Sequence, residues 1–182
     1  VEQAGKQGVA YLDYGKKHLL PGPIFDIAAR APVGGAVSMP SPAASVNADT
    51  IPLADSIIMG NPNGKTRLFV FTDPDCPYCS KMHLELKKLA AMEPDLAIYI
   101  KMFPLKMHPG AYDKARVILG AQKKSMEMLE KAFSGQKLPQ PMANDARKPV
   151  DDSLKFAEGI GINSTPTLVL PDGRIMPGFL EA

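Results

Sequence analysis

The chain passes from an apolar run into a helix-forming run at Phe71-Thr72-Asp73-Pro74-Asp75-Cys76-Pro77-Tyr78-Cys79. Upstream, residues 67–72 contain a continuous apolar run, which is typical of a strand covered on both faces. Downstream, Pro77 suits the first turn of a helix that extends to about residue 92, because the missing N–H of proline is not needed there. The sequence therefore predicts a buried strand that leads directly into a helix, with two cysteines at the junction.

Outward from this junction, the apolar patterns predict three more strands and a helical insertion. The strands cover residues 96–103, 167–170 and 174–179, and the turn Pro171-Asp172-Gly173 joins the last two. The insertion occupies about residues 110–158. This order of elements predicts an α/β fold with a mixed central sheet flanked by helices.

Inside the insertion, apolar residues at helical spacing predict helix over residues 112–133, and a proline-containing loop follows over 135–149. A short helix then begins with Asp151 or Asp152 as its cap. Ahead of the buried strand, we expect a short helix or turn around residues 53–59.

The residues before the main domain differ in character from the rest. Residues 8–27 read as a β-hairpin with turn chemistry at Asp13-Tyr14-Gly15, and residues 28–50 as a linker rich in Pro, Gly, Ala and Ser. We therefore divide the chain into a hairpin region (1–27), this linker and a main domain (51–182). A two-stranded hairpin is marginal by itself, so we expect it to pack on further residues or on a second copy of the chain.

Composition and charge exclude several classes of protein. The 21 Lys and Arg residues against 19 Asp and Glu give a formal charge of +2, which provides no argument for binding nucleic acid or an anionic membrane. The longest apolar runs are only a few residues, whereas a membrane span needs about 20. The first residues lack the basic start and apolar stretch of a signal peptide, which is consistent with a processed or trimmed protein.

Cys76 and Cys79 are the two cysteines of the chain, so a scaffold held together by several disulfides is excluded. The N-terminus of a helix offers free N–H groups and partial positive charge, and both favour a thiolate over a thiol. In motifs of this kind the pKa of the attacking thiol falls from about 8.5 to roughly 3.5–7. We expect Cys76 to be the more exposed of the two and Cys79 to be shielded one turn further in. Cys76 then attacks, a mixed disulfide forms, and Cys79 releases it.

Two other interpretations of the pair remain open at this point. A purely structural disulfide would close a ring of only four residues, which gains about 2 kcal/mol against about 3 for a fifteen-residue loop. A zinc site could use Cys76, Cys79 and His83, although Pro77 at the start of the helix suits exchange better. We interpret His83 as a solvated helix residue, and His108 has no clear role.

These motifs resemble the periplasmic disulfide isomerases of the DsbC and DsbG type, and the resemblance covers nearly the whole chain. It is carried by residues 22–27, by the redox stretch 71–79 and by Gly161-Ile162-Asn163-Ser164-Thr165-Pro166-Thr167. By themselves, residues 164–167 would normally contain a trans proline. The resemblance instead implies a thioredoxin fold, preceded by a β-hairpin remnant of a dimerisation domain, in which a cis Thr165–Pro166 bond lies beside Cys76.

The resemblance also implies a function. The chain would be a thiol–disulfide oxidoreductase of the periplasm that reshuffles or reduces wrong disulfides in unfolded or misfolded exported proteins. It would form a homodimer through its N-terminal domain and receive electrons from a membrane reductase of the DsbD type. We expect no cofactor beyond the redox-active Cys76–Cys79 disulfide, no metal and no nucleic acid.

Substrate contacts follow from the same resemblance, and two alternative functions stay open. The candidate substrate-binding residues are Pro77, Tyr78, Thr165 and Pro166. The alternatives are a net dithiol oxidase of the DsbA type and a chaperone that binds clients in an apolar cleft.

Overall fold

The computed structural model describes residues 45–142 and 145–180, together with the backbone of short strands within residues 2–32. The chain divides into two compact units, Val1–Pro42 and Ala43–Ala182. The second unit contains both cysteines, and it provides all of the side-chain geometry considered below.

In the first unit, Ala10–Leu12 pairs antiparallel with Leu19–Pro21, inside the region predicted as a hairpin. Phe25–Asp26 pairs antiparallel with Ala31–Pro32. The assignment of this unit to a dimerisation domain stays a prediction.

The second unit is built on a five-stranded mixed sheet, which confirms the predicted fold class. The strands are β1 Ile57–Gly60, β2 Thr66–Thr72, β3 Leu96–Met102, β4 Thr167–Val169 and β5 Ile175–Pro177. Their spatial order is β5-β4-β2-β3-β1, in which β2 and β3 are parallel and the other neighbours are antiparallel.

Strand β1 corrects the helix or turn expected around residues 53–59. Ile57 and Met59 are buried while Ile58 is exposed, which is the period of two that a strand at the edge of a sheet requires. The segment is too short for this alternation to be distinguished from a turn by sequence alone.

Within the described residues, four α-helices flank the sheet: α1 Pro77–Met92, α2 Ala111–Gly120, α3 Ser125–Phe133 and α4 Arg147–Gly159. Helix α1 has the predicted bounds. The residues predicted as helical over 112–133 form two helices, because the chain turns at Gln122, whose φ is 51°. Helix α4 begins before the predicted caps Asp151 and Asp152, since Pro149 falls within its first turn, where proline is tolerated.

Two apolar cores lie on opposite faces of the sheet. Along β2, Leu68 and Val70 join the core under α1, α2 and α3, whereas Phe69 and Phe71 join the core under α4. Burial on both faces explains why the strand reads as a continuous apolar run. The end of β2 is therefore held rigidly, and the cysteine segment follows immediately after it.

The second unit starts earlier than the predicted boundary at residue 51. Ser45 forms a β-bridge with Arg174, and the Val46 N–H donates to the Gly173 carbonyl oxygen at 2.9 Å. Gly173 has a φ of +86°, and a Cβ there would lie 2.0 Å from the Val46 carbonyl oxygen. Residues 45–50, which were predicted to belong to the linker 28–50, therefore pack on the main domain.

Candidate active site

The two cysteines occupy the start of α1, as the sequence predicts. Cys76 is the N-cap residue in an extended conformation, and Pro77 follows at the first helical position. The Cys79 N–H donates to the Cys76 carbonyl oxygen at 3.1 Å, within the first turn. Both thiols are free, and Cys76 lies at the helix N-terminus, where N–H groups and the helix dipole favour negative charge.

Both cysteines are buried, and they differ little in solvent exposure. Cys79 is 1% exposed and Cys76 6%, so Cys76 is the more exposed of the two, as predicted. The enclosure comes from Thr165, whose carbonyl oxygen accepts a hydrogen bond from Cys76 Sγ at 3.7 Å. The neighbouring residues Pro77 and Tyr78 are exposed.

Thr165 reaches this position through the sheet. Strand β4 pairs with β2 so that Thr167 faces Phe71, which brings the residues before β4 alongside the start of α1. The Thr165–Pro166 peptide bond is cis, as the resemblance implies. The Pro166 side chain is buried.

The thiol of Cys79 is held in its protonated form. Burial raises the pKa of Cys79 to about 12, while hydrogen bonds from the Thr72 side chain and the Asp73 backbone lower it by a smaller amount. The Asp73 N–H donates to Cys79 Sγ at 3.4 Å. A protonated, enclosed second thiol suits a residue that acts only after the first has formed a mixed disulfide.

This shift predicts how the stability of the reduced protein depends on pH. The unfolded chain releases the Cys79 proton near the ordinary pKa of 9.0, whereas the folded protein retains it to higher pH. The unfolded state therefore binds fewer protons above pH 9, and the free energy of unfolding falls as the pH rises from there. Urea titrations of the reduced protein between pH 8 and 10.5 measure this fall. The disulfide form is the control because it has no Cys79 thiol, and identical pH profiles for the two forms would refute the assignment.

The buried contacts of the Asp73 side chain are a part of the site that the sequence did not predict. Its carboxylate is fully buried and accepts hydrogen bonds from the Leu105 N–H at 2.6 Å and from His108 Nδ1 at 2.9 Å. His108, for which the sequence suggested no role, therefore contributes to the surroundings of the cysteines. Asp75 forms an ion pair with Lys114 of α2.

His83 does not join the cysteines. It is 5% exposed, so its interpretation as a solvated residue is wrong, and its ring packs against Phe133 at a centroid distance of 5.2 Å. Its Nε2 lies 3.4 Å from Glu130 Oε1, and burial lowers the pKa of His83. Within residues 45–142 and 145–180, no three His, Cys, Asp or Glu side chains are grouped as metal ligands.

Comparison with known proteins agrees with this geometry. The model of one protein family, described as a thioredoxin-like domain, matches residues 53–182. The chain belongs to the thioredoxin-like family. Among solved structures of this family, the disulfide interchange protein from Neisseria gonorrhoeae is 30% identical with a TM-score of 0.59, covering 72% of this chain and 90% of that one.

Thioredoxin-like relatives with a named reaction indicate the class of reaction that this chain catalyses. The thiol:disulfide interchange protein DsbC of Salmonella typhimurium is 26% identical over 94% of this chain and 68% of its own length. DsbC of Dickeya dadantii is 28% identical over 96% of this chain and 69% of its own length. The protein is therefore DsbC/DsbG-like, and it is a thiol–disulfide oxidoreductase. The DsbA2 structure from Pseudomonas aeruginosa, at 23% identity and a TM-score of 0.58, shares the fold.

Proposed function

We propose that this oxidoreductase is a disulfide isomerase and reductase, which reshuffles or reduces non-native disulfides in exported proteins. The observation that carries the proposal is the unequal pair at the start of α1. Cys76 lies at the helix terminus against Thr165, and Cys79 is a protonated thiol one turn further in. The DsbC relatives support the choice, because they match residues before the redox domain as well as the domain itself.

The reaction begins when the Cys76 thiolate attacks one sulfur of a wrong disulfide. A bond forms between Cys76 and that sulfur, and the other substrate sulfur leaves as a thiolate. In reshuffling, a substrate thiolate later displaces Cys76, so no net electrons move. In reduction, Cys79 loses its proton to solvent and attacks Cys76 Sγ. The Cys76–Cys79 disulfide forms as the bond between Cys76 and the substrate breaks, the substrate sulfur leaves as a second thiolate, and the substrate has gained two electrons.

Substrate contact is proposed for the exposed residues beside Cys76 and for the Thr165 backbone. Tyr78 is 58% exposed, and its ring lies 5.5 Å from Lys81 Nζ. An extended substrate segment that pairs with the Thr165 backbone would gain affinity without sequence preference. Pro166 has no N–H and limits this pairing to one side.

The same proposal includes the compartment, the oligomeric state and the electron donor of the protein. We place the protein in the periplasm as a homodimer formed through its N-terminal unit, with electrons supplied by a membrane reductase of the DsbD type. The cysteine pair would be the only redox group. None of the helices in the described residues is both long and apolar enough to cross a bilayer.

A scrambled-disulfide protein tests the proposal against net oxidation. Reshuffling requires only an attacking sulfur, whereas donating a disulfide requires both cysteines. We therefore expect the wild-type protein to restore activity to scrambled ribonuclease in a glutathione buffer, and the Cys79→Ala variant to retain part of that activity. The measurement is the rate of recovery of ribonuclease activity.

A different result would favour an oxidase of the DsbA type. In that case the disulfide form would oxidise fully reduced ribonuclease rapidly, scrambled ribonuclease would stay inactive, and Cys79→Ala would lose all activity. This combination would refute the isomerase while leaving the exchange chemistry intact.

A further inference from the structure

The Asp73 side chain connects the end of β2 to the loop that follows β3. Its Oδ1 accepts from the Asp75 N–H at 2.7 Å, and its Oδ2 accepts from the Leu105 N–H and from His108 Nδ1. When Asp73 is a carboxylate it only accepts hydrogen bonds, and His108 Nδ1 is then the donor in this contact. A fully buried carboxylate is costly unless such donors surround it, so these three contacts determine where Asp73 lies.

The backbone of Asp73 holds both cysteines. Its N–H donates to Cys79 Sγ at 3.4 Å, and its carbonyl oxygen accepts from the Cys76 N–H at 3.2 Å. His108 lies 35 positions from Asp73 in sequence and its side chain is 24% exposed, yet Asp73 links it directly to the Cys79 sulfur.

From this arrangement we infer that His108 is a positioning residue for the resolving thiol. By holding the Asp73 carboxylate, it keeps the Asp73 N–H on Cys79 Sγ and so favours the dithiol over the disulfide. The inference rests on the exchange chemistry alone, and it holds whether isomerisation or oxidation dominates in the cell.

The direction of the effect follows from the redox step. When glutathione disulfide oxidises the protein, Cys76 and Cys79 lose two electrons and two protons, the protein S–S bond forms, and two glutathione thiols are released. A sulfur that carries a thiol or thiolate accepts the Asp73 N–H more strongly than a disulfide sulfur does, because it carries more negative charge. Weakening that hydrogen bond therefore favours the disulfide form.

The experiment compares His108 variants at equilibrium with glutathione. We expect His108→Ala to raise the equilibrium constant for oxidation by about fivefold, the effect of one hydrogen bond, which corresponds to a reduction potential lower by about 20 mV. His108→Asn places an amide donor near the position of Nδ1, and we expect its equilibrium constant to stay within about twofold of wild type. The neighbouring Met107 is 77% exposed and its thioether has no hydrogen-bond donor for the Asp73 carboxylate, so Met107→Ala is the matched control.

The redox ratio in each buffer is read by alkylating the free thiols and measuring intact mass. A shift in His108→Ala that His108→Asn restores supports the positioning role. The inference fails if His108→Ala has the wild-type equilibrium constant, or if His108→Asn is shifted as far as His108→Ala. Either failure would leave the ribonuclease assay, and thus the proposed function, unaffected.

Discussion

Replacing Cys76 by serine is expected to lower the rate of thiol–disulfide exchange by about 1000-fold or more. Serine keeps the shape of the N-cap, but its hydroxyl is not ionised near neutral pH and is a poor nucleophile toward sulfur. Cys79 cannot replace it, because it is 1% exposed and its thiol remains protonated. Reduction of insulin by dithiothreitol in the presence of each variant, followed by turbidity, measures the loss.

Ser80→Ala provides the control for this substitution. Ser80 lies in the same helix, and its hydroxyl donates to the Phe133 carbonyl oxygen at 3.4 Å rather than to either cysteine. We expect it to retain wild-type activity. Substantial exchange by folded Cys76→Ser would mean that the attacking sulfur has been assigned to the wrong residue.

Replacing Cys79 by alanine is expected to trap substrates on Cys76. In the wild-type protein the second thiol is held next to the mixed disulfide, so release is intramolecular and fast. For a substrate that has no second thiol to displace Cys76, release from the variant depends on thiols from solution, and the lifetime of the mixed disulfide should rise on the order of 100-fold or more. Non-reducing gels of samples quenched with acid at successive times measure this lifetime.

The Cys76→Ser protein, treated identically, is the control and should form no complex. Rapid decay of the mixed disulfide in Cys79→Ala would show that Cys79 is not the resolving residue. Cys79 accepts a hydrogen bond from the Asp73 N–H at the end of β2, and replacing Cys79 removes that contact. Denaturant titration therefore checks that each variant is folded.

Local pattern accounts for the parts of the fold that were predicted well. Residues 67–72 and Pro77 set the bounds of β2 and α1, because an apolar run and a proline in the first turn each act within a few positions. The break between α2 and α3 was missed, since the turn at Gln122 interrupts apolar spacing that otherwise continues. Strand β1 was missed because its identity depends on pairing with β3, far along the chain.

In the active site, too, local sequence pattern predicts some features, while others depend on residues far apart in the chain. Spacing and helix position identified Cys76 and Cys79, and the resemblance identified the cis bond before Pro166. The roles of Asp73 and His108 depend on a contact between residues 35 positions apart, which no local pattern encodes. The one available sign was a carboxylate placed directly after a buried strand, where it must find hydrogen-bond donors.

Locating the sulfur that carries the substrate tests the central claim most directly. Cys79→Ala and Cys76→Ala are each incubated with a disulfide-linked peptide at neutral pH, quenched with acid, digested and mapped by mass spectrometry. The account predicts peptide attached to Cys76 in the first variant and no more than background attachment to Cys79 in the second. Comparable attachment to Cys79 in folded Cys76→Ala would contradict it.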